Sequence, residues 1–312
     1  MKPSAGVEAA RLALLNWLAD AGYRFTTPAP ATHRRILLRR GRVDARDLDD
    51  IFGWNLPFDA AAFDPQMIRL MREGDILESL GGKVVSGLRV ASVGSLLFLH
   101  SAFPLRGADS VFFGPDSYRF ADFVRMETPP LSAGARIVDI GAGAGVGGIV
   151  AASLNAGAQL SLSDINPRAL ALARINAVFA GVDAELSHSD GLPPDGAAFD
   201  VVLANPPYLG GETGRIYSRG GGALGSELSV AWAQAGLARL APGGRMLLYS
   251  GAAITRDGDS LRPRLEATCR DVGCSLDYRE IDPDVFPSTL LRRAYWGVER
   301  IAAVGAVMVK DA

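Results

Sequence analysis

Asn205-Pro206-Pro207-Tyr208 closes an apolar run, Phe199 to Ala204, with two consecutive prolines. Upstream, five of the eight residues from Gly141 to Gly148 are glycine, and they follow another apolar run, Ile137 to Ile140, which carries one acid, Asp139. Two further acids end strand-like stretches: Asp164 in LSLSDINP, and Asp190 in Ser189-Asp190-Gly191. Glycines after a strand let the backbone approach a ligand and take angles that a Cβ forbids. The apolar Ala/Val/Ile stretch behind them reads as a helix, whose N-terminus offers free N–H groups and a partial positive charge. This is the chemistry of a nucleotide-type cofactor site on a parallel α/β sheet. Gly143, Gly145 and Gly148 also spell G-x-G-x-x-G, which alone does not identify a dinucleotide. An acid at the position of Asp164 would hold ribose hydroxyls in either a dinucleotide or an adenosyl-sulfonium site.

The string VDIGAGAGVG, with Asp139, Gly141, Ala142, Gly143 and Gly145, resembles motif I of class I S-adenosylmethionine-dependent methyltransferases. Asp164, with Ile165 after it, resembles that family's ribose-binding acid, and Asp190-Gly191 its adenine-contacting segment. Asn205-Pro206-Pro207-Tyr208 resembles the N-methyltransferase signature. The four motifs stand in order over roughly residues 110–250. The resemblance implies S-adenosyl-L-methionine as cofactor rather than a dinucleotide. A looser similarity, in VFFGPDSYRFADFV, is to the segment before motif I in HemK-type enzymes. It implies cofactor contacts from Phe113 (or Phe112) and Asp116, although the family's Ile-Pro-Arg-Pro string is absent. Asp116 or Ser117 is expected to cap the helix there.

In the family that the motif resembles, the Asn side-chain oxygen and the first proline's carbonyl accept hydrogen bonds from the acceptor nitrogen. That implies a planar nitrogen, in an amide, a base amine or a guanidinium, whose delocalised lone pair is a poor nucleophile. Holding its N–H groups turns the lone pair toward the methyl and favours the developing positive charge. Adjacent prolines stiffen the loop and bring no competing N–H. Tyr208 offers an aromatic face for stacking. Asn205, Pro206, Pro207 and Tyr208 are therefore the candidate catalytic residues, and Asn205 also a cofactor neighbour.

Strands alternating with helices predict a Rossmann-like doubly wound sheet. Its strands are expected at Ile137–Ile140, Gln159–Ser163, Ala184–Ser187 and Asp200–Ala204, with the ligand at their carboxyl ends. The C-terminal segments CSLDYREIDPDVFPSTL and YWGVERIAAVGAVMVK read as an antiparallel edge pair. A smaller, mainly helical N-terminal domain is expected over residues 1–108, with the catalytic domain at 109–312. Within the former, helices are read at 4–22 and from Pro65, a loop at Thr26–Thr32, and a small β-element from Lys83. Phe52, Trp54 and Phe58 read as packing residues, and His100 as a packed or surface histidine. Six arginines between Arg34 and Arg46, followed by four aspartates, read as a mixed-charge helix or a basic face. The glycine-rich stretch 209–226 could fold over an acceptor, with Arg215, Tyr217 and Arg219 as contacts and Glu227 at the start of the next helix.

Composition narrows the class. The 312 residues are 48% hydrophobic and 21% charged, with a formal net charge of −2. That is the balance of a globular chain without a global basic field. Two cysteines in C-x₄-C and three scattered histidines predict neither a metal site nor a disulfide framework. No signal peptide or membrane span is read, so a cytoplasmic location is expected. The expected activity is N-methyl transfer, first to a glutamine side chain of a release-factor-like protein. The alternatives are an exocyclic base amine of ribosomal or transfer RNA, and a small amide, amine or guanidinium metabolite. A cofactor-binding scaffold without catalysis is the reading of a different class.

Overall fold

Ser4 starts the first helix, α1 (Ala5–Asp20), by accepting the Val7 N–H at 3.4 Å. In this computed structural model residues 4–41, 44–105, 107–209 and 225–312 are described. Two compact units form: one from residues 1–118, 143–146 and 167–183, the other from 119–142, 147–166 and 184–312. In the first, α1 buries Leu14, Leu15 and Leu18, and Gly22 ends the segment at φ +71°. The second helix, α2 (Pro30–Arg40), starts inside the stretch expected to be loop. Pro30 sits in the first turn, where its fixed φ suits a helix and its missing N–H costs nothing. Asp64 caps α3 (Pro65–Glu73), its carboxylate accepting the N–H groups of Gln66 and Met67 at 2.7 and 3.1 Å. Two antiparallel hairpins follow: β1 (Leu77–Leu80) with β2 (Lys83–Ser86), and β3 (Leu88–Val93) with β4 (Leu96–Ser101). The helix α4 (Pro115–Glu127) begins one residue before the expected caps. Asp116 and Ser117 thus lie within its first turn, and the Ser117 hydroxyl accepts the Gly114 N–H at 3.3 Å.

The second unit is built on one sheet. Its strands are β5 (Arg136–Ile140), β6 (Gln159–Asp164), β7 (Ala184–His188), β8 (Phe199–Ala204), β9 (Leu240–Thr255), β10 (Gly258–Asp259), β11 (Cys274–Asp282) and β12 (Val298–Lys310). The spatial order is β7-β6-β5-β8-β9-β12-β11, with β10 on β9. The pairs from β7 to β9 are parallel, while β12 is antiparallel to both neighbours. The expected antiparallel edge pair forms: β11 is the outermost strand, and β12 joins it to β9. Its almost unbroken burial, from Ile301 to Met308, fits an interior position. The helices α5 (Val146–Ser153), α7 (Glu227–Ala238) and α8 (Arg262–Asp271) accompany this sheet, whereas α6 (Pro167–Phe179) falls in the first unit. Alternation along the strands sends Val138, Ile140, Val202, Ala204, Met246 and Leu248 to the face covered by α7 and α8. Among the described residues no helix is long and apolar enough to cross a membrane.

α6 packs with the N-terminal unit. There Asn176, fully buried, serves three backbone groups. Its Oδ1 accepts the Leu99 N–H at 2.8 Å, and its Nδ2 donates to the carbonyls of Leu99 (3.2 Å) and Ala144 (2.9 Å). One side chain thus closes part of the β4 edge and ties it to α6 and the glycine turn. Replacing it with an apolar residue strands three buried polar groups, each costing roughly 1–3 kcal/mol. Asn176→Leu is expected to lower unfolding stability by about 3 kcal/mol or more in urea titration. A loss below about 0.5 kcal/mol, ordinary for a neutral surface change, would show that the network contributes nothing.

Candidate active site

Register places the motif residues at one level of the sheet. Ile140 pairs with Ser163 on one side and with Ala204 on the other. Gly141, Asp164 and Asn205 are the next residues of these three adjacent strands, so they emerge side by side at the carboxyl edge. Asp164 in turn pairs with His188, two residues before Asp190. The Ala142 N–H donates to the Ser163 carbonyl at 2.9 Å and pins the turn to β6.

Two features shape that turn. Gly141 has φ +65°, and a Cβ on it would run into the ring of Trp232 on α7. Gly143 and Gly145, grouped with the N-terminal unit, stand at φ +56° and +82°. A chain of L-residues could not follow this path without strain. Behind the turn, Asp139 is buried and accepts the Gly148 N–H at 2.8 Å. Gly148 is the third residue of α5, so the carboxylate satisfies a donor of the first helical turn from the strand just before it. Gly148 itself must lack a side chain, because a Cβ would lie 2.6 Å from Leu162 and 2.9 Å from Leu160.

Burial pushes the Asp139 carboxyl up to about 7; the Gly148 hydrogen bond offsets this only in part, and Asp164 adds to the rise. Asp139 therefore organises the turn from beneath.

The loops after β6 and β7 are tied together. The Ser163 hydroxyl donates to the Gly191 carbonyl, the Ser189 N–H to the Asp164 carbonyl (3.3 Å), and His188 Nε2 lies 2.9 Å from the Ile165 carbonyl. The Asp164 side chain is 9% exposed, with Oδ1 accepting the Asn166 N–H at 2.8 Å. Ile165 is 47% exposed, an apolar side chain left in the open beside it. Asp190 is exposed. Glycines that a Cβ would fill, an acid at the strand end and an open apolar side chain fit an adenosyl ligand. Asp164 would take the ribose, and Ile165 with Asp190-Gly191 the adenine side.

Asn205 and Pro207 are half-buried and Pro206 is buried. Tyr208 is 7% exposed and packs into the unit. Gly251 on β9 has no side chain where the Tyr208 ring sits, and Tyr249 and Phe286 lie 6.5 and 5.9 Å away. The ring anchors the Asn-Pro-Pro turn to β9, a packing role beyond the expected open stacking face. Phe286, held at φ +57° beside the Tyr208 ring, and Trp232, against Gly141, are neighbours of the candidate site that residue spacing did not mark. Trp232 had a signal: it is the one large ring in ELSVAWAQAGLA.

Phe113 and Asp116 belong to the N-terminal unit. The Phe113 ring stacks on His100 at 5.2 Å, with Tyr118 at 5.4 Å and Phe98 at 5.7 Å, so it is core there. Asp116 is buried. Arg215, Tyr217 and Arg219 lie outside the described residues. Glu227 opens α7 and sits 3.7 Å from Arg264, which also donates to Ser226 at 2.8 Å.

The raised Asp139 pKa has a sign that can be checked. In the unfolded chain the carboxyl ionises near 3.8, in the folded one near 7. Between those values the unfolded state has released a proton that the folded state keeps, so stability falls as pH rises and levels off above about 7. Asp139→Asn keeps an acceptor for Gly148 without the charge. It is expected to unfold at a higher temperature than the parent at pH 8, with the gain shrinking to nothing near pH 4. A gain equal at both pH values would remove the ionisation of Asp139 as its cause.

Residues 123–219 match the family described as "Methyltransferase small domain". Among curated relatives, a ribosomal RNA small subunit methyltransferase C of Shewanella amazonensis is 37% identical over 76 residues, covering 24% of this chain and 22% of its own length. A release factor glutamine methyltransferase of Cereibacter sphaeroides is 32% identical over 137 residues, covering 39% of this chain and 49% of its own. The chain thus spans between about a fifth and a half of these relatives' length. Among solved structures, Trm5b of Pyrococcus abyssi superposes with a TM-score of 0.50 at 14% identity, over 75% of this chain and 62% of its own. Sheet order, glycine turn and matched segment agree: the chain carries the Rossmann-like fold of class I methyltransferases.

Proposed function

We propose that the chain is an S-adenosylmethionine-dependent N-methyltransferase whose first acceptor class is a glutamine side-chain amide of a release-factor-like protein. One observation carries the reading: Asn205 leaves β8 at the level where Gly141 and Asp164 leave β5 and β6. A donor held by the glycine turn and Asp164 would place its methyl beside the Asn-Pro-Pro turn. When bound, S-adenosylmethionine supplies an electrophilic methyl on a sulfonium. The Asn205 side-chain oxygen and the Pro206 carbonyl would accept the two N–H groups of the acceptor amide. So held, the acceptor nitrogen would have its lone pair turned toward the sulfonium methyl, and the Asn205 and Pro206 oxygens would favour the positive charge developing on it until one N–H proton is given up to solvent. Positioning and favourable dipoles carry such a reaction, and no strong base is required. The packed Tyr208 keeps the turn from yielding.

A base amine of RNA is the second reading, and one observation favours it. Arg34, Arg35 and Arg39 are exposed on α2, which carries no acid. Such a face suits phosphate contacts. A small amide or guanidinium metabolite and a non-catalytic scaffold have no comparable support. Residues 1–108 are proposed as the part that selects the acceptor.

Two variants separate the roles. Asn205→Ala is expected to cut methyl transfer by about a hundredfold or more, the scale of losing a preorganised donor or acceptor at a reacting group, with cofactor affinity nearly unchanged by calorimetry. Asp164→Ala is expected to weaken cofactor binding by about 10–100-fold, the value of charge-assisted hydrogen bonds to ribose. Transfer at the parental rate by Asn205→Ala, or unaltered affinity in Asp164→Ala, would remove that residue from its assigned role.

A further inference from the structure

Arg89, on β3, is 4% exposed, and its Nη2 is buried without a hydrogen-bond partner among the described residues. Its Nε donates to the Gly53 carbonyl at 2.8 Å. The guanidinium lines a cavity of about 20 Å³ within the N-terminal unit. Buried His100 and Ser101 share its floor, while Pro30, Phe103 and Phe112, half-buried or exposed, form its rim. No Asp or Glu is among the described lining residues.

The floor carries a buried positive charge. The groups of negative character that act on Arg89 are the phenols of Tyr23 and Tyr118. Burial raises the pKa of both phenols, so both stay neutral. Burial lowers the Arg89 pKa to about 10, which leaves it charged at neutral pH. His100 cannot add charge. Burial and the nearby Arg89 hold its pKa well below 6.5, and its Nδ1 lies 3.1 Å from the Ser101 carbonyl, which can only accept. The Ser101 hydroxyl accepts the Val111 N–H at 2.8 Å and still has its own proton to give. An uncompensated buried cation is costly, and a bound anion offsets that cost. A space of this size holds about one water-sized group, and the rim above it is aromatic and apolar.

We propose that this cavity binds a carboxylate carried on an apolar or aromatic stem, with the carboxylate on Arg89 Nη2 and the Ser101 hydroxyl, and the stem between Phe103 and Phe112. The carboxylate could belong to a free small molecule or to an acidic side chain of a protein.

The test uses the full chain in thermal unfolding at fixed ionic strength. The probes are benzoate, benzamide, chloride, and a short peptide with one glutamate between leucines beside its glutamine counterpart. Benzoate should raise the unfolding midpoint with the logarithmic concentration dependence of one-site binding, by about 2–4 °C at ten times its Kd, and benzamide should not. Arg89→Met should lose the response. Because that variant could fail to fold, Phe112→Trp provides a second readout: its fluorescence should change saturably with benzoate and not with benzamide. A glutamate peptide binding more than tenfold tighter than benzoate, with its glutamine form inert, assigns the carboxylate to a protein. Benzoate binding as tightly or tighter assigns it to a small molecule. No saturable response to either carboxylate, an equal response to the amides or to chloride, or an undiminished response in folded Arg89→Met would each overturn the site.

Discussion

The hydrogen bond from the Gly148 N–H to buried Asp139 is the constraint on which the site depends. It draws the first turn of α5 onto β5 and β6, close enough that Gly148 has no room for a side chain. That approach fixes where the chain must turn between Ile140 and Val146, and the turn needs positive φ at three glycines. The cost is a carboxyl buried against its charged form and close enough to Asp164 to feel it. Such strain at a ligand-facing turn is ordinary where a site must be held open.

Parallel pairing then spreads this one fixed point across the sheet. Because β6 and β8 flank β5 in register, any residue that ends either strand one step beyond Ser163 or Ala204 arrives beside Gly141. Asp164 and Asn205 occupy those steps. Their loops are held by different means: hydrogen bonds among Ser163, Asp164, Ile165, Ser189 and Gly191 on one side, and the Tyr208 ring seated over Gly251 on the other.

Much of this was legible in the sequence because it is local. The strands β5 to β8 and their terminal acids, glycines and Asn-Pro-Pro turn lie within about seventy residues, and each strand end is marked by residues with backbone consequences. What was not legible depends on distant partners. Nothing near Tyr208 announces Gly251, more than forty residues away, nor does the Phe113 stretch announce that its ring stacks on His100. The insertion of β12 between β9 and β11 follows from pairing, which hydrophobic runs alone do not specify. The stretch Thr26–Thr32 reads as loop, yet Pro30 within it opens α2, because proline equally suits a first helical turn. A buried arginine such as Arg89 reads in sequence as one of twenty-nine arginines.

The proposed chemistry stands or falls on Asn205 acting where the donor's methyl arrives. The most direct measurement is methyl transfer from labelled S-adenosylmethionine into a lysate separated into protein, RNA and small molecules, with parent chain and Asn205→Ala side by side. Label in the protein fraction, absent with the variant, is the predicted result. No label in any fraction from a parent chain that demonstrably binds the cofactor, or label undiminished by the substitution, would contradict it.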